Sequence, residues 1–324
     1  MREGGVLVGI DGGASRTRGV AITAADEALA RADAGGSAII GAPRAEACAV
    51  LRSVLDSLCS QGGFARDDIA LCGLGLNGVD FEDEFPVQHA GIAEALGIPS
   101  ERLVLVNDGI VALWGASAAP AAAILHHGSG ITSAYRSAYG QEKLFDHLDA
   151  ARTFDMRHEL VSVVARMLNG MVEDTPLKAK ALAHFGIADE SRYPEAVFRR
   201  QIPREKVLST PPFIYQAWLD GDGVAAALVE AAADDYALTA KAMIACTGSS
   251  NADATFGGGV INCAPPPFWT LLAERVHRHC PDVAVKPPDL AAEFGAAIMA
   301  GYHVGLDPVA LFGRLREVSR GRQG

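Results

Sequence analysis

Short apolar runs alternate with helical patterns in the first third of the chain. Residues 6–10 form one apolar run, and a second run at residues 19–23 follows the small polar segment 11–18. Because both runs are short and are separated by turn-forming residues, they predict two strands joined as a β-hairpin. Apolar positions at helical spacing between residues 44 and 60 predict a helix, and residues 69–76 are typical of a buried strand.

The same strand, turn and strand pattern returns about one domain length later. Residues 103–106 predict a buried strand that carries Asn107 and Asp108 at its carboxyl end. After a helix, the apolar run 121–125 leads through a second glycine-containing turn at residues 128–130 into another strand. This repetition predicts an internally duplicated chain.

The second half of the chain is richer in helices. Periodic apolar positions predict helices at residues 158–168, 176–186, 223–246 and 268–280. A short strand at residues 254–256 runs into a third glycine turn, residues 257–259.

The length and composition narrow the function further. A chain of 324 residues and 33.8 kDa exceeds the usual size of one hydrophobic core, which favours two lobes that share a cleft. Apolar residues make up 49% and charged residues 21%, as in ordinary globular proteins. The net charge of −11 and the pI near 5.3 argue against general binding of nucleic acid or of an anionic membrane. A local basic pocket for a phosphorylated ligand stays compatible with that charge.

The cysteines and the first residues indicate a cytoplasmic protein. No CxxC pair occurs, and the cysteines are expected to be small core residues. The first residues lack the apolar segment of a signal peptide. The apolar stretch 109–125 is interrupted by Pro120 and dominated by alanine, so a helix followed by a strand is predicted there rather than a membrane span. The cysteines are Cys48, Cys59, Cys72, Cys246, Cys263 and Cys280.

The first turn carries a set of groups suited to phosphate. Its glycines allow the backbone to approach a ligand, its amides and hydroxyls can donate hydrogen bonds, and Asp11 can hold Mg²⁺ through water. The turn opens into a strand, whereas a P-loop or a dinucleotide turn opens into a helix, so neither motif is indicated. An ordinary glycine hairpin is the alternative. The predicted nucleotide contacts are Gly12, Gly13, Ser15, Arg16 and Thr17.

The other two turns strengthen the case for a nucleotide. If the duplicated halves face each other, the second turn would lie across a cleft from the first, and the two would clamp a polyphosphate. The third turn offers a flat backbone surface to an adenine or a ribose, with a tight strand-to-helix turn as the alternative. The residues concerned are Gly128, Ser129 and Gly130 in the second turn, and Gly257, Gly258 and Gly259 in the third.

Asp108 lies at a predicted strand end, between the first two turns in sequence. A carboxylate there could take the proton of a substrate hydroxyl as that hydroxyl attacks the γ-phosphate. The alternative is a plain N-cap of the helix that begins at Gly109, because aspartate suits that position. The neighbouring glycine turns favour the catalytic interpretation.

Together these motifs resemble those of the sugar-kinase, Hsp70 and actin superfamily, and within it the family that joins N-acetylglucosamine kinases to the BadF/BadG/BcrA/BcrD ATPases. Residues 11–17 resemble that family's first phosphate motif, residues 128–130 its second and residues 257–261 its adenosine motif. Residues 106–108 match the strand end that carries the family's catalytic aspartate, and residues 75–80 resemble the loop beside its substrate site. The resemblance covers most of the chain.

The resemblance implies an α/β fold with two ribonuclease-H-like lobes around a nucleotide cleft. Residues 1–118 would form the N-terminal lobe, joined by a C-terminal helix at about residues 300–324, and residues 119–299 the C-terminal lobe with a helical insertion. The resemblance also implies ATP and Mg²⁺ as cofactors, with Mg²⁺ held by Asp11 through water, and Asp108 as the catalytic base. Relatives of this kind are often dimers, so a homodimer is one arrangement that it allows.

Departures from the family pattern fall where the sugar should bind. Residues 38–40 are Ala-Ile-Ile, which offer no side-chain hydrogen bond where the kinases usually have an asparagine. The family's Gly-Trp-Gly-His-Leu segment and the acidic segment after it are replaced at residues 144–153. We therefore expect phosphoryl transfer with an altered sugar preference. Side chains that could form the acceptor site are Asn77, Asp80, Asn107, Asp108, Asp146 and His147.

Other polar residues near the replaced segment, among them Asp155 and Arg157, could also rebuild a polar pocket, but most are expected to be structural. Asp155 begins a predicted helix, where an acidic residue is favourable, and Arg157 lies in the first turn of that helix. His277, His279 and Cys280 look like metal ligands, yet their spacing does not bring all three to one helix face. We do not expect a zinc site there.

Three functions are compatible with the sequence. The first is an ATP-dependent kinase of a sugar, an amino sugar or a related polyol. The second is an ATPase that drives a partner protein, although the closely placed cysteines that hold an iron–sulfur cluster in such activators have no counterpart here. The third is a non-catalytic nucleotide or sugar sensor. We expect a small, sugar-like substrate and neither a nucleic-acid nor a membrane partner.

Overall fold

The computed structural model describes residues 5–23, 28–145 and 153–321. It contains two mixed sheets of five strands each. The first sheet has the order β3-β2-β1-β4-β5, in which β1 pairs antiparallel with β2 and parallel with β4. Its strands are β1 (Val6–Gly12), β2 (Arg16–Thr23), β3 (Ala28–Gly35), β4 (Ile69–Leu76) and β5 (Leu103–Val106).

The second sheet repeats this topology. Its order is β10-β9-β6-β7-β8, so β6 pairs antiparallel with β7 and parallel with β9, as β1 does with β2 and β4. The predicted hairpins and the predicted duplication are therefore confirmed. The strands are β6 (Ala122–His127), β7 (Ile131–Arg136), β8 (Glu142–Phe145), β9 (Asp253–Gly257) and β10 (Ala284–Lys286).

Helix α1 (Ala45–Gly62) shows how the sequence pattern makes a helix. Its apolar positions recur every three or four residues and form one buried stripe, which packs against β2 and β3. The helix ends before Gly63, whose φ of 67° lies in the left-handed region that glycine adopts at little cost. The stripe consists of Ala47, Leu51, Val54, Leu55 and Leu58.

Two helices follow the parallel strands of the first sheet, and ten more occur among the described residues from 153 onward. The former are α2 (Phe85–Leu96) and α3 (Asp108–Ala116). The latter are α4 (Met156–Leu168), α5 (Pro176–Phe185), α6 (Tyr193–Phe198), α7 (Arg204–Leu208), α8 (Pro211–Leu219), α9 (Gly223–Thr247), α10 (Gly259–Asn262), α11 (Pro266–His277), α12 (Ala292–His303) and α13 (Pro308–Gly321).

Strand β1 is apolar on both faces because both faces are covered. Val6, Val8 and Ile10 join the core under α1, whereas Leu7 joins the core formed with α12 and α13. The approach of α12 is close enough to require glycine: a Cβ on Gly9 would lie 2.2 Å from the carbonyl oxygen of Glu293. A continuous apolar run is the expected pattern for such a strand.

Helix α12 packs on the first sheet, earlier in the chain than the predicted boundary between the lobes allows. Helix α12 contacts β1, β4 and α3, so the chain is back against the first sheet at Ala292, ahead of the predicted boundary at residue 299. We propose that the C-terminal part of the N-terminal lobe begins near residue 290. The boundary near residue 118 stays a prediction.

Some sequence expectations were incomplete or wrong. Strands β3, β8 and β10 and helices α6 to α8 were not predicted, because these elements are short or mix charged with small residues. The cysteines are not uniformly core residues: Cys72 is buried, while Cys246 and Cys263 are exposed. The stretch 109–125 is divided between α3 and β6, and none of the helices in the described ranges is long and apolar enough to cross a membrane.

Candidate active site

A cavity of about 680 Å³ lies at the carboxyl ends of the parallel strands of both sheets. It is lined by all three glycine turns and by the residues that follow β4 and β5. Such strand ends are the usual place of a ligand site in an α/β fold. The predicted site residues that line the cavity are Asp11, Gly13, Ser15, Arg16, Asn77, Asp108, Gly128, Ser129, Gly130, Gly258 and Gly259.

The first turn is braced from behind. The amide of Gly13 donates to the carbonyl of Arg16 over 2.9 Å, and the amide of Ser37 donates to the carbonyl of Gly13 over 3.1 Å. Thr17 is fully buried, with Oγ1 2.8 Å from Oγ of Ser37. A Cβ on Gly12 would lie 2.5 Å from that same oxygen. Gly12 and Thr17, predicted as nucleotide contacts, therefore do not line the cavity and instead support the turn.

The second and third turns lie against each other. Gly258 has a φ of 91°, and a Cβ there would lie 2.4 Å from the carbonyl carbon and oxygen of His127. Glycine is therefore required at this position both by backbone conformation and by space. The third turn leads directly from β9 into α10, the strand-to-helix arrangement that was the alternative interpretation. Gly257 faces Pro288 rather than the cavity, since its Cβ would lie 2.8 Å from that ring.

Asp108 is held at the base of the cavity with one oxygen engaged and one free. Its Oδ2 lies 3.4 Å from the side-chain nitrogen of Asn77. Its Oδ1 is buried and has no hydrogen-bond partner among the described residues. Burial raises the pKa of Asp108 to about 6. The side chain of Asn77 and the nearby backbone amides of Gly109 and Asp108 oppose the rise, and the carboxylate of Asp80 adds to it. The group is thus a carboxylate near neutral pH with a free acceptor oxygen.

The N-cap of α3 is Asn107, not Asp108. Oδ1 of Asn107 accepts from the amide of Gly109 over 2.8 Å, and Asp108 is already the first helical residue. The alternative interpretation of Asp108 as a plain cap is therefore wrong. The Asn107 side chain also donates to Oδ1 of Asp80 over 2.8 Å. These two predicted acceptor residues bind each other and do not line the cavity.

Asp11 and Asp108 both line the cavity, and their negative charges repel each other. Burial, then the charges of Asp108 and Glu293, raise the pKa of Asp11 to about 7, while Arg18 opposes the shift. A cation between these carboxylates would relieve their repulsion. No cluster of three or more metal-ligating side chains occurs within residues 5–23, 28–145 and 153–321.

Asp146 and His147, which the sequence predicts as acceptor-site residues, lie outside the described residues. The altered residues 38–40 do not line the cavity, and Ile39 is joined to the candidate site through its backbone only. The amide of Ile39 donates to the carbonyl of Asn77 over 2.9 Å, while the Ile39 side chain is buried.

The His277 ring is bound to the carbonyl of Val283 over 3.0 Å, as expected for a structural histidine.

A buried polar network behind the second turn was missed from the sequence. Arg157 is only 2% exposed, lines the cavity and donates to the carbonyl of Gly128 over 2.7 Å. The same guanidinium lies 2.9 Å from Nε2 of His127 and 2.7 Å from Oδ2 of Asp155. Asp155 caps α4 as predicted, by accepting from the amide of Arg157 over 2.9 Å. The adjacent polar residues at the end of the otherwise apolar strand β6 were the available signal.

Comparisons with known proteins agree with this architecture. The model of the BadF/BadG/BcrA/BcrD ATPase family matches residues 8–300. The N-acetylmuramic acid/N-acetylglucosamine kinase of Clostridium acetobutylicum is 23% identical over 303 residues, which are 91% of this chain and 97% of that protein.

Solved structures show the same fold. The structure of a candidate N-acetylglucosamine kinase from Chromobacterium violaceum is similar with a TM-score of 0.64 at 22% identity, covering 91% of this chain and 98% of that chain. A ROK hexokinase from Thermus thermophilus is similar with a TM-score of 0.59 at 17% identity, covering 92% and 99%. At these identities the structural likeness establishes the two-lobed fold and no more.

Proposed function

The chain belongs to the BadF/BadG/BcrA/BcrD ATPase family, and we propose that it is an ATP-dependent kinase that transfers the γ-phosphate to a hydroxyl group of a sugar or an amino sugar. The observation that carries this proposal is one cavity that joins three glycine turns to a buried carboxylate with a free oxygen. The kinase activity named for the Clostridium relative supports it. Because residues 38–40 lack the side-chain hydrogen bond that the kinases usually offer to the sugar, the identity of the acceptor has to be tested separately from the phosphoryl transfer.

The first two turns would hold the polyphosphate of ATP. Residues of both turns line the cavity, so free backbone amides and the hydroxyls of Ser15 and Ser129 would be available to the phosphates, and Arg16 and Arg18 would add positive charge. Such preorganised donors stabilise the charge that develops on a transferring phosphoryl group. The third turn, with the prolines at the start of α8, would form the wall for the base.

Asp108 would act as the general base. As a substrate hydroxyl attacks the γ-phosphorus, its proton passes to the carboxylate of Asp108, the new oxygen–phosphorus bond forms, and the bond from the γ-phosphorus to the β,γ-bridging oxygen breaks to release ADP. A carboxyl with a pKa of about 6 is ionised at pH 7 and is still basic enough to accept the proton. Asn77 would orient the carboxylate through its contact with Oδ2.

The residues also fit a magnesium ion carried by the nucleotide. Asp11 would hold the ion through water, because the carboxylate faces the cavity and its charge is otherwise repelled by Asp108. When bound, the ion would neutralise charge on the phosphate oxygens.

The experiment that tests the proposal is ADP release by the purified protein with Mg·ATP. Hexoses, amino sugars, N-acetylated sugars, muramic derivatives and polyols would be offered one at a time, beside a reaction without acceptor. Turnover that depends on one class of acceptor is the expected result. ATP hydrolysis indifferent to every acceptor would contradict it and favour an ATPase that drives a partner, and absence of nucleotide binding would contradict both.

Location and assembly stay predictions. We propose a cytoplasmic location because ATP is the proposed phosphoryl donor. The homodimer is testable by light scattering on the purified chain.

A further inference from the structure

The second turn is held by arginine side chains at two successive carbonyls. Arg157 donates to the carbonyl of Gly128 over 2.7 Å, and Arg204, at the start of α7, lies 3.4 Å from the carbonyl of Ser129. The turn is closed by a bond of 2.9 Å from the amide of Gly128 to the carbonyl of Gly130. Its carbonyls are therefore occupied by the protein itself.

The direction of these carbonyls fixes the direction of the amides. In a planar trans peptide the C=O and the next N–H point in opposite directions. Holding the carbonyls of Gly128 and Ser129 therefore turns the amides of Ser129 and Gly130 the other way. Neither amide donates to another described residue, and both residues line the cavity. Two adjacent free amides form a site for an anion.

Arg157 is itself immobilised. Its guanidinium makes bonds of 2.8 and 2.7 Å to the two oxygens of Asp155, which is anchored at the N-terminus of α4. Burial works to raise the pKa of Asp155, but the neighbouring His127 ring and the Arg157 guanidinium together outweigh it, so the pKa is lowered and the carboxylate stays ionised.

The ring of His127 takes part as a neutral acceptor. Since a guanidinium can only donate, Nε2 of His127 accepts from Arg157 over 2.9 Å, and the proton must lie on Nδ1, which faces the hydroxyl of Tyr236. Burial lowers the pKa of His127, which agrees with a neutral ring.

We propose that Arg157 is a positioning residue for the polyphosphate: by holding the Gly128 carbonyl it aims the amides of Ser129 and Gly130 at the phosphates of the nucleotide. This inference rests on the proposed function of the cavity. Since Asp155 neutralises most of the Arg157 charge, Arg157 acts mainly through the geometry of its planar fork. Lysine keeps the charge but cannot make the same set of bonds, so it should not substitute.

The test compares Mg·ADP with adenosine. Calorimetric titration of Arg157→Lys should show a loss of Mg·ADP affinity of about tenfold or more, because the amides of Ser129 and Gly130 no longer point at the phosphates. Adenosine affinity should stay within about twofold. In turnover, KM for ATP should rise and kcat should fall, whereas KM for the acceptor should not change.

Arg136→Lys is the matched control. Arg136 is also fully buried and also donates to backbone carbonyls, those of Ser117 and Ala119, but it does not line the cavity. Its substitution should lower the melting temperature and leave the ratio of ADP to adenosine affinity as in the unaltered protein. This control separates a general loss of stability from loss of phosphate positioning.

A second variant covers the case in which Arg157→Lys does not fold. Tyr236→Phe removes only the hydroxyl that pairs with Nδ1 of His127. The buried nitrogen then lacks a partner and the ring that accepts from Arg157 is less well held, so the change should weaken Mg·ADP severalfold and spare adenosine. Wild-type Mg·ADP affinity in the folded variants, or an equal loss for Mg·ADP and adenosine, would overturn the inference. Failure of the unaltered protein to bind Mg·ADP would instead overturn the proposed function.

Discussion

The side-chain nitrogen of Asn77 lies 3.4 Å from Oδ2 of Asp108, and this contact joins the segments that follow the parallel strands β4 and β5. Because it engages one carboxylate oxygen only, Oδ1 is left buried without a partner in the described part of the chain. A buried acceptor of this kind is costly unless a donor reaches it. A hydroxyl group of the substrate, bound beside the carboxylate, would be such a donor.

Asp108→Asn should abolish most phosphoryl transfer and leave nucleotide binding nearly unchanged. The amide has the shape of the carboxylate but cannot accept the proton, so kcat should fall by about 10²–10⁴-fold. Steady-state kinetics and titration with Mg·ADP measure the two effects. Asp80→Asn is the control, since it removes a nearby carboxylate that binds Asn107 rather than facing the cavity. Unchanged turnover in Asp108→Asn would refute the role.

The rate should depend on pH with an acidic limb near pH 6. Burial raises the pKa of Asp108 to about 6, so the base is protonated and inactive below that pH and ionised above it. kcat/KM should therefore fall by about tenfold per pH unit below the pKa. Asp80→Asn removes a charge that raises this pKa, so it should move the limb to lower pH. A profile that stays flat down to pH 5 would be incompatible with Asp108 as the base.

Asp11→Asn should stabilise the protein without ligand, and more so at high pH. The pKa of Asp11 is raised from 3.8 to about 7, so the folded state holds the proton more tightly than the unfolded state. The free energy of unfolding therefore falls as pH rises from about 4 to about 7. The gain in melting temperature should be about 1–3 °C at pH 8 and smaller at pH 5.

The control for this prediction is Asp33→Asn. That carboxylate is 56% exposed and lies 2.9 Å from Arg16, so its removal should not raise the melting temperature. Scanning calorimetry at the two pH values measures both variants. An equal shift of Asp11→Asn at pH 5 and pH 8 would show that burial of this charge is not costly.

Gly258→Ala should damage the site and the fold together. The residue has a φ of 91°, and the added Cβ would lie 2.4 Å from the carbonyl group of His127, so the second and third turns must separate. We expect a lower melting temperature and a higher KM for ATP. Gly259→Ala is the control for stability, since a Cβ there meets nothing within 4 Å. Equal melting temperatures for the two variants would contradict the close contact.

Local patterns were sufficient to predict the hairpins, the main helices and the three glycine turns. The run of residues 6–10 predicts a strand because consecutive apolar side chains must be buried on both faces, and β1 is covered by α1 on one face and by α12 on the other. The apolar stripe of α1 predicts a helix because its side chains recur every three or four residues and so lie on one face. These features depend on residues that are neighbours in sequence, so the sequence alone contains the information.

The roles within a motif depended on contacts over long separations. Gly12 and Thr17 share the first turn with Gly13, yet the former two lie against Ser37 and do not line the cavity. Asn107 and Asp108 are adjacent, and only the folded strand end decides which one caps α3.

The sequence by itself therefore determined the order of the elements, the glycine turns and the position of Asp108, because backbone conformation and burial follow local composition. Only the tertiary structure decided which side chains face the cavity and that Arg157 is bound to His127 and Gly128, 30 and 29 positions away in the chain. The physical reason is that a buried charge has to find its partners wherever packing brings them, and spacing along the chain does not specify that meeting.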